Sequence, residues 1–162
     1  MIKNNPTPVG AEGQLLRGAI EHRATWFALL IEEAQKQGLD GYAFAHNAIK
    51  RCGVFHGDNK YTKTDDLQAF AAEFAAEPTK SVFGMEIKEN DGKHLYIDFH
   101  YCPLVAAWQK LGLPESEMPE LCDIAMDGDR GIISTFPKFS FELGETIAKG
   151  DDVCQIRIEK HD

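Results

Sequence analysis

The chain has 162 residues, 43% of them hydrophobic and 27% charged, and its formal net charge is −9 at pH 7. This is the composition of one folded domain rather than a disordered chain, and the acidic balance without any Lys/Arg run argues against nucleic-acid binding. No segment approaches 18 apolar residues and the N-terminus has no apolar core of signal-peptide length, so we expect a soluble cytoplasmic protein with no membrane partner.

A flexible arm and a long helix are predicted at the N-terminus. Residues 1–10 contain Pro6 and Pro8, which disfavour regular structure, so we expect a loose arm there and a single domain over residues 11–162. Apolar residues then recur at spacings of three and four, which predicts a helix from Glu12 to Gln37. One face of that helix would carry Leu16, Ile20, Arg23, Phe27, Leu30 and Ala34.

Four shorter helices are predicted further along the chain. Helical spacing of apolar residues predicts two of them at 41–51 and 65–76, the second capped by Thr64. A third is predicted at 103–112, because proline is favoured at the start of a helix and glycine at its end. The fourth, at 118–127, would pack its apolar face on the core.

Strands are predicted in the rest of the second half. The runs at 82–88 and 93–101 are joined by Asn-Asp-Gly at 90–92, which is a strong signal for a tight turn. Two final strands are predicted at 138–148 and 153–159. Helices first, followed by about four antiparallel strands with two short helices inserted between the strand pairs, indicate the α+β class.

Cys102 ends a predicted strand and is followed directly by Pro103. Proline is favoured at the first position of a helix, so Cys102 is the predicted N-cap. A thiol there faces unpaired backbone N–H groups and the positive end of the helix dipole, which favour the thiolate and lower its pKa. The position therefore suits a nucleophilic cysteine, and it suits equally a small buried cap without reactivity.

Cys122 and Cys154 lie on the apolar faces of a predicted helix and of the last strand. Each alone is typical of a core, because free cysteine is among the most buried residue types. If both met Cys102 in the fold, the three thiols could bind a soft metal or share a proton. The chain has four cysteines and no Cys-x-x-Cys pair, so neither a disulfide scaffold nor a zinc knuckle is predicted.

Three other side chains are candidates for a site. Asp127 closes its predicted helix at the end where a carboxylate is unfavourable, which indicates either a partner such as Arg130 or a functional role. Arg23, on the apolar face of the first helix, could clamp a substrate carboxylate or simply pack its aliphatic stem. His100, two residues before Cys102, could act as a base, line a pocket or be purely structural.

Three segments together resemble a known family: HYCPL at 100–104, LCDIAMD at 121–127 and TIAKGDDVC at 146–154. The L-2-amino-thiazoline-4-carboxylic acid hydrolase family has the same features in the same order, namely Cys-Pro at a strand-to-helix junction, a Cys with an Asp five residues later, and a Gly-x-x-x-Cys strand. The likeness extends over residues 12–159. The Gly and Cys ending is also similar to vinyl-reductase-type ligand-binding domains, so a non-catalytic binding role stays open.

The resemblance implies a hydrolase that opens a thiazoline carboxylate, a small cyclic amidine-like ring, to N-carbamoyl-cysteine. The catalytic residues that it implies are Cys102, Cys122, Asp127 and Cys154. We add Arg23 and His100 as candidates for substrate binding because of their positions in the chain. The expected partner is a small-molecule substrate and no cofactor is expected, while a metal held by the cysteines, a sensor role and homo-oligomerisation stay open.

Overall fold

The computed structural model describes all 162 residues. Its helices are α1 Ala11–Lys36, α2 Gly41–Asn59, α3 Leu67–Phe74, α4 Thr79–Phe83, α5 Pro103–Leu111 and α6 Met118–Ser134. Its strands are β1 Met85–Asn90, β2 His94–Phe99, β3 Phe139–Leu143 and β4 Cys154–Lys160, and one 3₁₀ turn spans Ile147–Lys149. Neighbouring strands are antiparallel in the order β1-β2-β4-β3, which confirms the α+β prediction.

The sheet brings two of the four cysteines close to each other. Buried and half-exposed residues alternate along β2, because successive side chains of a strand point to opposite faces. At the end of this strand Phe99 is paired with Cys154, the first residue of β4. Since Cys102 follows Phe99 by only three residues, the end of β2 and the start of β4 place both cysteines at the same edge of the core.

Helix α1 begins and ends one residue before the predicted bounds, but its buried face differs from the predicted one. The face that packs on the core carries Gly13, Arg17, Ile20, Ala24, Ala28 and Ile31. Arg23, which the apolar pattern assigned to the core face, is exposed. Although α1 has 26 residues, neither it nor any other helix is long and apolar enough to cross a membrane.

Arg17 explains why the buried face was misassigned. Its guanidinium is buried although the structure provides it with no carboxylate. It donates instead to the backbone oxygens of Thr7 (2.7 Å) and Val82 (3.0 Å), and it lies 4.3 Å from the centre of the Tyr101 ring. A charged residue that is fully hydrogen-bonded in this way can lie in a core, whereas a hydrophobicity pattern places it outside.

The predicted helices 41–51 and 118–127 both continue, to Asn59 and Ser134. Each contains glycines that the sequence pattern interprets as helix ends, and each of these glycines is helical in the structure. Asp-Gly-Asp at 127–129 is therefore part of α6 and not a turn. A glycine costs a helix only about 1 kcal/mol relative to alanine, which tertiary packing can offset.

The packing that offsets this cost is a close contact between α2 and α6. A Cβ atom on Gly53 of α2 would overlap the carbonyl oxygen of Gly128, and one on Gly131 of α6 would overlap that of Lys50. The two backbones approach each other directly, because no side chain separates them. This contact fixes the position of α6, the helix that carries Cys122.

The segment before the sheet also differs from its prediction. Helix α3 is capped by Asp66 and not by Thr64, since an Asp66 carboxylate oxygen accepts from two backbone N–H groups of the first turn. The predicted strand at 82–88 begins only after α4, which ends at Gly84 in the left-handed region (φ 58°). The predicted strand at 138–148 is likewise too long, because the 3₁₀ turn takes its last residues.

Candidate active site

Cys102 is the N-cap of α5, as the Cys-Pro pair predicts. Its backbone is extended (φ −127°, ψ 108°) and Pro103 follows in the first turn. Burial raises the pKa of the Cys102 thiol, and the backbone N–H groups of Leu104 and Val105 oppose only part of this effect. They make no hydrogen bond of normal geometry to the sulfur. The thiol is therefore neutral near pH 7, whereas the cap position alone predicts a lowered pKa.

The N-terminal arm holds the backbone of Cys102. The side-chain amide of Asn4 donates to the Cys102 carbonyl oxygen (2.8 Å), and the Asn4 side-chain oxygen accepts from the Cys102 N–H (2.9 Å). Ile2 is buried nearby, and its carbonyl oxygen accepts from the Gln109 side chain. The sequence alone predicts a loose arm over residues 1–10, because the partners of these residues lie about a hundred positions further along the chain.

Cys122 and Cys154 are also buried, at 6% and 4% exposure. Burial first, and then the charge of Cys102, raise the pKa of Cys122 to about 12. Burial likewise raises the pKa of Cys154 well above the usual range of a thiol, although the Ile147 N–H donates to its sulfur at 3.3 Å. All three thiols are therefore protonated at neutral pH.

The three thiols are buried in the same hydrophobic core. Ionisation of Cys102 or Cys122 affects the pKa of Cys154, and all three belong to the same core cluster. Their sulfurs are not all within 4.8 Å of one another, since the one set of three potential metal ligands that meets this limit is Glu89, Asp91 and His94 on the surface. The three sulfurs thus lack the mutual spacing of a closed zinc site.

A hollow of about 220 Å³ opens beside Cys122. Its walls come from the first turns of α6 and from the segment around the 3₁₀ turn, and they consist of Pro119, Glu120, Cys122, Asp123, Leu143, Thr146 and Lys149. Pockets for drug-sized ligands are typically about 300–1,000 Å³, so this hollow suits a smaller molecule. Cys122 is the one cysteine that lines it.

Thr146 and Lys149 line the hollow, although the sequence alone does not indicate either of them as a candidate site residue. Thr146 is 1% exposed, and its Oγ1 is the one buried side-chain nitrogen or oxygen in the structure without a hydrogen-bond partner. It lies beside Cys122, whose thiolate it favours. Both residues belong to the TIAKGDDVC segment that carries the family resemblance. Their place in this segment is the feature of the sequence that could have indicated them as site residues.

Asp127 lies on the side of α6 that faces α2. One carboxylate oxygen is 2.6 Å from Nδ1 of His46, and the other accepts from Arg130 at 2.8 Å. Burial would raise the pKa of Asp127, but these two partners together outweigh it and lower the pKa. The same contact raises the pKa of His46. Asp127 is thus engaged in an ion-pair network on the side of α6 that faces α2, and its partners His46 and Arg130 also contact Glu120 and Asp123 in the wall of the hollow.

The two candidates for substrate binding lie apart from the hollow. Arg23 is exposed on α1. Burial raises the pKa of Asp129 to about 7, and the charges of Arg130 and then Arg23 offset only part of this effect. His100 is exposed at the end of β2, and its Nε2 is 2.9 Å from a carboxylate oxygen of Glu86. Neither residue belongs to the wall beside Cys122.

Comparisons with known proteins identify both a family and a fold. The sequence model of L-2-amino-thiazoline-4-carboxylic acid hydrolase matches residues 17–158. Comparison with curated proteins gives no match. Among solved structures, the fold is similar to a trafficking protein particle complex subunit 3 from Naegleria fowleri, in a crystal structure of that protein covalently bound to palmitic acid. The two chains are 18% identical with a TM-score of 0.57, over 88% of this chain and 95% of that chain, so the similarity concerns the fold alone.

Proposed function

The chain belongs to the L-2-amino-thiazoline-4-carboxylic acid hydrolase family, and from this premise we propose that it hydrolyses a small cyclic amidine-like ring that carries a carboxylate. One observation carries the proposal. Cys122 lines a hollow sized for a small molecule, and Cys102 and Cys154 are buried in the same hydrophobic core. A purely structural set of core cysteines would not need an opening to solvent.

The proposed reaction is addition of a thiol to the ring carbon that lies between nitrogen and sulfur. This carbon is electrophilic, so the Cys122 sulfur attacks it while the thiol proton passes to the ring nitrogen. The ring C–S bond then breaks, and the departing sulfur takes a proton from the amidine nitrogen. Water finally adds to the carbon and releases the Cys122 thiol, so that one water is consumed and N-carbamoyl-cysteine is formed.

The raised pKa values of the thiols are compatible with this chemistry. A neutral thiol carries the proton that the ring nitrogen needs, and a basic amidine is able to accept it. Cys102 and Cys154, as the two neighbouring thiols, would relay protons or exclude water. We assign Asp127 a positioning role, in which it holds α6 against α2 through His46.

The proposal is tested by thiol release from L-2-amino-thiazoline-4-carboxylic acid, because ring opening produces one new thiol per substrate molecule. We expect Cys122→Ser to fold normally, as judged by circular dichroism, and to lose at least about 100-fold in rate. Cys52→Ser is the matched control, since Cys52 is exposed on α2, and it should retain full activity. Undiminished turnover by Cys122→Ser would remove Cys122 from the mechanism.

The second candidate is a small-molecule-binding domain without catalysis. The observation in its favour is the raised pKa of all three thiols, since resting thiolates are the usual mark of nucleophilic cysteines. It predicts that the wild-type protein binds the thiazoline carboxylate, as measured by calorimetry, and releases no thiol over hours. Catalytic release of thiol by the wild-type protein would rule this alternative out.

A further inference from the structure

The buried hydroxyl of Thr146 has an unmet hydrogen-bonding need at the wall of the hollow. Its Oγ1 makes no hydrogen bond of normal geometry, even to the Cys122 thiol beside it, and has almost no exposure, whereas most buried polar atoms in proteins are hydrogen-bonded. Leaving such a group without a partner destabilises the folded state. The neighbouring backbone N–H groups do have hydrogen-bond partners, since the Thr146 N–H donates to the Asp151 carboxylate and the Ile147 N–H donates to the Cys154 sulfur. A ligand atom in the hollow would supply the missing partner.

Charges of opposite sign lie on the two walls. On the 3₁₀ turn is Lys149, which is not among the salt-bridged lysines, namely Lys36, Lys63, Lys88 and Lys110. On α6 are Glu120, one oxygen of which is 3.5 Å from Nε2 of His46, and Asp123, one oxygen of which accepts from Arg130. Charges of both signs affect the Cys122 thiol, since Lys149 lowers its pKa and Asp123 raises it.

The exposed position of Arg23 leaves Lys149 as the one basic side chain in the wall of the hollow. We propose that Lys149 and Thr146 bind the carboxylate of the ligand, while Glu120 and Asp123 face its cationic end, so that the hollow selects a small zwitterion. This inference rests on the proposed function for the reacting group at Cys122, and it names the residues that determine specificity there. Thr146 donates its hydroxyl hydrogen, and Lys149 contributes a charge-assisted contact.

The test compares the binding of two probes to the full chain carrying Cys122→Ser, so that neither probe is consumed. The first probe is L-2-amino-thiazoline-4-carboxylic acid, and the second is 2-amino-thiazoline, which lacks the carboxylate. We expect calorimetry to show that Lys149→Gln weakens binding of the acid about tenfold and changes binding of 2-amino-thiazoline less than about twofold. Lys138→Gln, which removes the same charge from the exposed loop before β3, should change neither affinity.

Thr146 offers a second variant that separates binding from folding. Thr146→Val keeps the shape of the side chain and removes the unpartnered hydroxyl, so the melting temperature should stay equal or rise. Its affinity for the acid should nevertheless fall about tenfold, and Thr146→Ser, which retains the hydroxyl, should stay within about threefold of the parent. A merely structural role of Thr146 would instead lower the melting temperature of Thr146→Val.

The outcomes distinguish this inference from the proposed function. Retention of the full preference for the acid by both Lys149→Gln and Thr146→Val would overturn the inference, even if the parent chain releases thiol. The expected losses in affinity, combined with no thiol release by the wild-type protein, would support the inference and refute the proposed hydrolysis. Failure of both probes to bind the parent chain at millimolar concentration would overturn the inference.

Discussion

Two faces of α6 show how differently one helix can use its polar side chains. On the face toward the 3₁₀ turn, Cys122 is buried, its pKa is raised, and the adjacent Thr146 hydroxyl has no partner. On the face toward α2, Asp127 is held by His46 and Arg130, and its pKa is lowered. The first face opens to a hollow that has an unpartnered hydroxyl in its wall, whereas the second is closed by a neighbouring helix. His46 and Arg130 connect the two faces, because they also contact Glu120 and Asp123 in that wall.

This contrast distinguishes polar groups that hold the fold together from polar groups that are available to a ligand. Polar groups whose hydrogen bonds are complete stabilise the native state, and they have little capacity left for a ligand. Polar groups left incomplete at a hollow cost stability, and natural proteins tolerate this where function requires it. On this ground we place the reaction at Cys122 and give Asp127 a supporting role.

The largest expected effect comes from breaking the closed face. Gly53→Ala would place a Cβ atom against the carbonyl oxygen of Gly128, and backbone cannot move aside as a flexible side chain does. We expect the free energy of unfolding to fall by about 3 kcal/mol or more.

Chemical denaturation measures this loss, and Gly128→Ala is the matched control. Its new Cβ would meet only Ile49, at 3.7 Å, so stability should stay equal or rise by up to about 1 kcal/mol. Equal stability of the two variants would show that the backbones of α2 and α6 are not in close contact.

The open face should make the protein sensitive to alkali. The folded pKa of Cys122 is raised to about 12, so its neutral thiol stabilises the fold fully below the pKa of an unfolded cysteine, about 8.5, and this stabilisation is lost as pH rises further. Between pH 8.5 and 10.5, the free energy of unfolding should fall less steeply for Cys122→Ala than for the wild-type protein. The difference in slope should be up to about 1.4 kcal/mol per pH unit. Cys52→Ala, at an exposed position, should leave the decline unchanged, and identical slopes for all three proteins would contradict the burial of Cys122.

The closed face should also lose stability as pH rises, but in a lower pH range and with a smaller effect. The pKa of His46 is raised, so the pair stabilises the fold below the usual histidine pKa of about 6.5 and loses strength as pH rises through the raised value. The pKa of Asp127 is lowered, so the pair also weakens as pH falls through that lower value. We expect His46→Ala to cost about 1 kcal/mol at pH 5.5 and less at pH 9.

Urea denaturation at the two pH values measures this difference. His56→Ala is the control, because His56 is exposed on the same helix and should give the same small change at both pH values. If His46→Ala lowers the free energy of unfolding more at pH 9 than at pH 5.5, the contact with Asp127 does not stabilise the protonated form of His46.

Several features of the fold were predictable because they depend on neighbours in sequence. The bounds of α1, the turn at 90–92 and the cap position of Cys102 follow from local spacing and from the preferences of proline and glycine. The errors occur where distant contacts override local preference. Glycines that appear to end α2 and α6 are packed against each other, and the charged Arg17 is buried by backbone oxygens.

The sequence by itself determined the class of fold, the family and the three cysteines, because periodicity and motifs are local properties of the chain. Only the tertiary structure decided that Cys122 lines the hollow and that Asp127 and Arg23 lie elsewhere. The physical reason is that a motif specifies the order of residues along the chain, whereas the face of a helix that meets a cavity depends on close packing with elements remote in sequence. The unpaired hydroxyl of Thr146 is the clearest case, since a missing hydrogen bond exists only once every neighbour is in place.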